Sequence, residues 1–179
     1  MTRVVLSIGS NLGDRLARLQ SVLDRLGSTV QAVSPVYETA AWGGVEQGPF
    51  LNAVLIADDP TLDGHGWLRC AQEMEVAADR VRGQKWGPRT LDVDLICCHL
   101  TALDGDSELF SLEDGLTLPH PLAHLRAFVL IPWLAIDTDA ALTVGGGKQP
   151  VARLIAELDP ADRAGVRHTD FVLELRPES

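Results

Sequence analysis

Apolar side chains recur along this chain in two periods, and the switches between them predict its elements. Val4 to Ile8 is β-branched and apolar, and Gly9-Ser10-Asn11 breaks the run. From Asp14 the apolar positions Leu16, Leu19, Val22, Leu23 and Leu26 follow helical spacing, with Gly27 as the stop. The segment opens as strand, tight turn, helix. Residues 29–37 and 50–57 read as two further strands, and the loop between them holds Trp42, Gly43, Gly44, Gly48 and Pro49. A second helix is predicted from about Leu62 or Trp67 to Ala78, with Trp67, Cys70, Ala71 and Met74 facing inward. Residues 91–98 alternate apolar and acidic at their start and read as a strand with one wet face. The order is β-α-β-β-α-β, a ferredoxin-like α+β class in which two helices cover one face of an antiparallel sheet.

Beyond this core the pattern predicts an acidic mobile loop at residues 104–115 and a short strand at Leu116–Leu118. An apolar segment around Phe128–Ile136 and a helix at Val151–Leu158 supply additional C-terminal structure. The tail Phe171–Arg176 is expected as an edge strand or as a poorly ordered end. Neither a repeat nor a linker interrupts the chain, so residues 1–179 read as one domain, with the part beyond about Asp159 the least defined.

Composition narrows the class. Hydrophobic content of 46% and charged content of 22% match a globular domain. A net charge of −10 argues against a surface built for nucleic acid or anionic membrane, since phosphate neutralisation needs Lys and Arg. The longest apolar run, Ala127–Ile136, is ten residues and includes Pro132, against about 20 for a membrane span. The opening run Val4–Ile8 is too short for the core of a signal peptide, and a cytoplasmic location is expected. Cys97 and Cys98 are adjacent and face opposite sides of a strand, and Cys70 stands alone, so all three are expected as free thiols in a reducing compartment.

The chemistry concentrates in Arg80 to Asp94, RVRGQKWGPRTLDVD. Arg80, Arg82, Lys85 and Arg89 fall within ten residues that hold no acid, in a protein that is otherwise strongly acidic. Asp92 and Asp94 follow at i and i+2, which on a strand puts both carboxylates on one face, about 7 Å apart. An Arg-rich loop alone is commonly a solvated turn, and two alternating Asp are commonly a wet strand face. Together they point further, because Asp is disfavoured in strands and two like charges on one face repel unless a cation lies between them. Paired hard oxygens suit Mg²⁺, which shares its remaining positions with water and phosphate. The combination predicts phosphoryl-type transfer with a metal clamp. Other motifs fail. Gly145-Gly146-Gly147-Lys148 lacks the Ser/Thr and first Gly of a P-loop and reads as a turn, and neither an HExxH motif nor a paired CxxC occurs.

At this window the sequence resembles the 6-hydroxymethyl-7,8-dihydropterin pyrophosphokinase family of the folate pathway. KWGPRTLDVDLI (residues 85–96) carries the signature. Further support comes from SIGSNLGDR at 7–15, Tyr37-x-Thr39, Phe50-Leu51-Asn52, Arg80-Val81-Arg82 and LTLPHPLAHLRAF at 116–128. The resemblance implies transfer of the β,γ-pyrophosphoryl group of ATP to the hydroxymethyl oxygen of the dihydropterin, leaving AMP. By residue, it implies that Asp92 and Asp94 hold two Mg²⁺ and that Arg80 and Arg89 act on the phosphates as catalytic cations. Arg82, Lys85 and Trp86 would join them on a closing loop. Gln72, Glu75, Leu116, Thr117, His120 and Arg126 would line the nucleotide side. Thr39, Ala40, Trp42 and Asn52 would meet the pterin's hydrogen-bonding edge, with Phe50 and Phe128 stacked on its faces. The partners implied are ATP and the hydroxymethyl-dihydropterin, without nucleic acid or membrane, on a monomer.

The chain departs from the family pattern in places. Ala40, Ala41 and Trp42 stand where prolines and an aliphatic are common, Phe50 replaces a frequent Tyr, and Lys85 replaces a frequent Arg. The basic loop is one residue shorter than in some members and the acidic stretch is longer. Two rival classes share parts of the pattern. A two-metal nucleotidyltransferase or phosphohydrolase would use the paired Asp but leaves Phe50, Asn52 and Phe128 unexplained. An RNA-binding ferredoxin-like module would need a basic sheet face, whereas this one carries two acids.

Overall fold

The computed structural model describes residues 1–41, 47–78 and 90–176. Its centre is a seven-stranded antiparallel sheet in the order β11 (Arg167–His168), β3 (Tyr37–Thr39), β4 (Phe50–Asp59), β1 (Thr2–Ser10), β5 (Asp92–Ala102), β6 (Gly105–Leu109), with β2 (Val30–Val33) sharing the β4 edge. The first half follows the sequence pattern. β1 (Thr2–Ser10) is buried except at Arg3, and α1 (Arg15–Leu26) is capped by Asp14, whose carboxylate accepts from the Ala17 N–H at 3.1 Å. Gly27 ends α1 with φ of 53°, a left-handed value that glycine tolerates best.

The single strand expected at 29–37 is two strands, β2 (Val30–Val33) and β3 (Tyr37–Thr39), laid end to end along β4 (Phe50–Asp59). Pro35 has no N–H to offer the ladder, so pairing breaks there. Ser34 patches the gap: its backbone N–H donates to the Val54 carbonyl and its hydroxyl accepts from the Val54 N–H, both at 2.9 Å. α2 (Gly64–Ala77) starts at an Asp63 cap, and β5 (Asp92–Ala102) pairs with the other edge of β1. The β-α-β-β-α-β order and its ferredoxin-like sheet are therefore present.

Alternation splits the core in two. Val4, Leu6, Ile8, Leu51, Leu55 and Leu95 face α1 and α2, with Trp67 and Met74 packed among them. Val5, Val54, Ile56, Ile96 and Cys97 face the opposite way. They are covered by α3 (Ala127–Ile136) and α4 (Val151–Glu157), which supply Val129, Leu130, Trp133 and Leu154. α3 is apolar throughout, with Ala127, Val129, Leu130, Pro132 and Trp133 buried and the remaining positions half-buried or, at Ala135, exposed. It covers only the Val5–Val54–Ile96 part of the second face. Ser7, Gly9, Phe50, Asn52, Asp92 and Asp94 continue that same face beyond it.

The acidic stretch 104–115 is not a loop. β6 (Gly105–Leu109) folds back on β5, and β7 (Ser111–Glu113) pairs with β8 (Leu116–Leu118). Charge misled the prediction, because an edge strand exposed to water accepts acids and is protected by them from pairing with other chains. The glycine run behaves as a turn, with Gly145 and Gly146 at positive φ joining β9 (Ala141–Val144) to β10 (Gly147–Pro150). The tail also differs from expectation. α5 (Pro160–Ala164) leads to β11 (Arg167–His168), which pairs with β3, whereas residues 171–176 form no strand. They lie along α1 with Leu173 buried. Among the described residues no helix is long and apolar enough to cross a membrane.

Candidate active site

Gly9 is the hinge of the site. Across one edge of β1 it pairs with Asn52, and across the other with Asp92. Opposite residues in an antiparallel sheet share a face, so Asn52, Gly9 and Asp92 form a row about 10 Å wide, two strand spacings. A Cβ on Gly9 would stand 3.1 Å from Asn52 Oδ1 and 3.4 Å from Phe50 Cδ1. The absent side chain therefore keeps this row flat.

On the β4 side Asn52 is buried, and its Nδ2 donates to Thr39 Oγ1 at 2.8 Å. That bond sets the amide's orientation and leaves Oδ1 and the second N–H able to meet a heteroaromatic edge. Thr39 is also buried, Phe50 half-buried, and Ala40 exposed at the mouth. Asn11 and Arg15 fix the approach to Phe50. Asn11 Nδ2 donates to Gln47 Oε1 at 2.6 Å and to the Gly48 carbonyl at 3.1 Å, and Arg15 Nη1 donates to the Pro49 carbonyl at 3.0 Å. Neither was singled out from the sequence, although the turn after β1 and the helix cap place both at the end of that strand.

On the β5 side Asp92 and Asp94 are half-buried on the shared face, with the Asp94 side chain 41% exposed. Arg126 arrives from the residue just before α3 and places Nη1 3.7 Å from Asp94 Oδ2. Burial pulls the Arg126 guanidinium below its ordinary pKa, and Asp94 and then Asp92 push it back towards the charged form. Its guanidinium carbon lies 5.5 Å from the centre of the Phe128 ring, within cation–π range. The sequence reading put Arg126 with the nucleotide but did not anticipate that it neighbours the carboxylate pair.

β8 runs between α2 and β5, bringing Leu116 and Thr117 alongside the helix that carries Gln72 and Glu75. Gln72 is exposed, Glu75 and Leu116 are buried, and Thr117 is half-buried. After β8 the chain crosses to the other sheet face, where the His120 N–H donates to the Ile96 carbonyl at 2.8 Å. His120 Nδ1 accepts from the Leu122 N–H at 3.1 Å. Burial, with Arg126 nearby, lowers the His120 pKa to about 4, so the ring is neutral at pH 7. Trp42, Arg80, Arg82, Lys85, Trp86 and Arg89 lie outside the described residues.

The donor set passes a test for Mg²⁺. Two carboxylates on one half-open strand face supply hard oxygens and leave positions for water and phosphate, as that ion prefers. Among the described residues no group of three or more His, Cys, Asp or Glu is placed to hold a metal. The cysteines take no part. Burial pushes the Cys98 thiol up to about 12 and raises Cys97 as well, which keeps both protonated.

The row thus sets a buried amide and an aromatic ring at one end of a sheet face, and two carboxylates with a buried arginine at the other. Comparison with known proteins makes this specific. The family model for 7,8-dihydro-6-hydroxymethylpterin-pyrophosphokinase (HPPK) matches residues 5–138, and the chain belongs to that family. It is 68% identical to the 2-amino-4-hydroxy-6-hydroxymethyldihydropteridine pyrophosphokinase of Mycobacterium tuberculosis, over 93% of this chain and 89% of that protein. For the enzyme of the same name from Mycobacterium leprae, identity is 63% over 100% of this chain and 95% of the relative. The Aquifex aeolicus enzyme is 34% identical over 76% and 81%. Among solved structures, wild-type Plasmodium falciparum HPPK-DHPS with SDX-DHP superposes with a TM-score of 0.59 at 11% identity. That match covers 87% of this chain and 44% of the solved one, and it supports the fold alone. Neither rival reading from the sequence is favoured by these matches.

Proposed function

We propose that this chain transfers the β,γ-pyrophosphoryl group of ATP to the hydroxymethyl oxygen of 6-hydroxymethyl-7,8-dihydropterin, giving AMP and the dihydropterin diphosphate, within folate biosynthesis. The Asn52–Gly9–Asp92 row carries the reading. Its width of about 10 Å, two strand spacings, leaves room for a bicyclic ring between Asn52 and the carboxylates. A ring held at Asn52 thus presents its hydroxyl at the carboxylates.

Each residue has a physical task. Thr39 holds the Asn52 amide in one orientation, so the pterin edge meets a preset acceptor and donor. The family resemblance assigns Ala40 and Trp42 to that edge, and Phe50 and Phe128 offer ring faces for stacking. Asp92 and Asp94 would hold two Mg²⁺, which when bound supply charge neutralisation for the phosphate oxygens. Arg126, kept charged by Asp94 and Asp92, faces the same anions. By the family resemblance Arg80, Arg82, Lys85, Trp86 and Arg89 would cover the triphosphate, while Gln72, Glu75, Leu116, Thr117 and neutral His120 would receive the nucleotide. In the reaction the hydroxymethyl oxygen forms a bond to Pβ as the Pβ–O bond to AMP breaks and the hydroxyl proton is released to solvent, so the task is alignment and charge neutralisation more than covalent chemistry. The 179 residues act as one domain and as a monomer in the cytoplasm, a location that the three free cysteines support.

Calorimetry tests the division of the site. Asn52→Ala should weaken binding of the dihydropterin about tenfold or more and leave a non-hydrolysable ATP analogue within about twofold. Equal losses for both ligands would show that the row is not divided in this way.

A further inference from the structure

The C-terminal segment reaches the pterin side of the site by a route that the family match does not include, since that match ends at residue 138. β3 is three residues long and supplies Thr39, which orients Asn52. One of its edges pairs with β4, and without the tail the other edge would be bare. β11 fills that edge, pairing Arg167 with Glu38 and His168 with Tyr37. Thr169 adds two bonds to the Val36 carbonyl, from its N–H at 3.1 Å and its hydroxyl at 2.8 Å. The His168 ring meets the Tyr37 ring edge-on at 5.4 Å.

Side chains extend the link to the other end of the pocket. Arg167 Nη2 donates to Glu38 Oε1 at 3.0 Å, and Glu38 Oε2 accepts from Arg15 Nη1 at 3.1 Å. The same Arg15 nitrogen holds the Pro49 carbonyl, one residue before Phe50. The far end of the segment is anchored too. Leu173 is buried against the α1–α2 core, Gln20 exchanges two bonds with the Glu174 backbone at 2.7 and 3.0 Å, and Arg176 Nη1 meets Asp24 at 3.3 Å. A two-residue strand alone would fray, but one fixed on both sides holds its position.

We infer that residues 167–176 form a strap that positions the pterin pocket, acting through β3 on Thr39 and Asn52 and through Glu38 and Arg15 on Phe50, with Arg167 as a positioning residue. The inference rests on the reading of Asn52 and Phe50 as pterin contacts given above. The strap touches no substrate. Its effect is to keep the amide and the ring preset, so its loss should appear in pterin affinity and not in nucleotide affinity.

The test compares four proteins by titration with 6-hydroxymethyl-7,8-dihydropterin and, separately, with a non-hydrolysable ATP analogue plus Mg²⁺. A chain ending at Gly165 should bind the pterin about tenfold more weakly, and Arg167→Ala about threefold, both with nucleotide affinity within about twofold of wild type. Arg167→Lys keeps the ion pair with Glu38 and should recover most of the loss. If the shortened chain fails to fold, the two Arg167 variants decide alone, since Arg167 is exposed and its replacement leaves the core intact. Asn52→Ala serves as the reference. If Asn52→Ala leaves pterin binding unchanged, the pocket assignment itself is wrong. If Asn52→Ala weakens it while Arg167→Ala binds as wild type, or loses both ligands equally, the strap is only structural and the inference is overturned.

Discussion

Replacing Asp94 with Asn tests whether the carboxylate pair is a cost or a support to the folded chain. Sequence spacing alone predicts relief, because two like charges on one strand face repel. The structure reverses that sign. Arg126 is only 7% exposed, and its Nη1 lies 3.7 Å from Asp94 Oδ2. At an effective dielectric constant of about 20, a charge pair at this distance is worth about 4 kcal/mol. Asp94 is 41% exposed, and solvent screening reduces the figure to about 1–2 kcal/mol. For a chain of this size that corresponds to a fall in Tm of about 2–8 °C. Asp92 acts on Arg126 less strongly than Asp94 does, so Asp92→Asn should lose less. Both variants should drop kcat by more than roughly 100-fold, as expected when a carboxylate of the metal pair is removed. Scanning fluorimetry at low salt with a chelator present isolates the stability effect from metal binding. The double variant Asp94→Asn/Arg126→Met should recover part of the lost Tm, because it removes the buried cation along with its partner. An Asp94→Asn protein that melts at or above wild type would refute this account of the pair.

Three further outcomes are expected. Gly9→Ala should raise the dihydropterin Kd about fivefold in a binding titration, because its Cβ crowds Asn52 Oδ1 and loosens the bond to Thr39; unchanged affinity would contradict the packing described at Gly9. Phe50→Leu keeps most of the volume but loses the flat ring, so pterin affinity should fall by about 2- to 13-fold with ATP affinity unaffected, and equal losses would make Phe50 a packing residue only. His120 has its pKa lowered from the usual 6.5 to about 4, so the unfolded chain binds the extra proton first as pH falls. The stability contributed by the neutral ring is complete above pH 6.5 and is lost between pH 6.5 and 4, by roughly 1–2 kcal/mol after allowing for the ring's partial exposure. Denaturant titrations should show that slope in the wild type and a shallower one in His120→Asn.

Much of the framework was legible because it is written locally. The Asp14 cap, the Leu19–Leu26 stripe and Gly27 specify α1 within a few turns, and the i, i+2 spacing of Asp92 and Asp94 puts both on one face wherever the strand goes. Less legible were relations that only the folded sheet creates. Ser34 and Pro35 divide β2 from β3 because β4 supplies a partner for Ser34, which no local pattern reveals. Arg126 meets Asp94 because α3 packs on the sheet face that β5 shares, and the two residues are far apart in sequence. The tail reads as weakly patterned for a similar reason. Its strand is two residues long, and its order comes from β3 and α1 rather than from its own propensity.

The central claim is that two phosphoryl units move together from ATP to the pterin. It is tested most directly by a single turnover with ATP labelled at the β-phosphorus in one sample and at the γ-phosphorus in another. The account predicts that both labels arrive on the pterin in equal amount, with one AMP released per product and no ADP. Transfer of the γ label alone with release of ADP, or retention of the β label on the nucleotide, would contradict it.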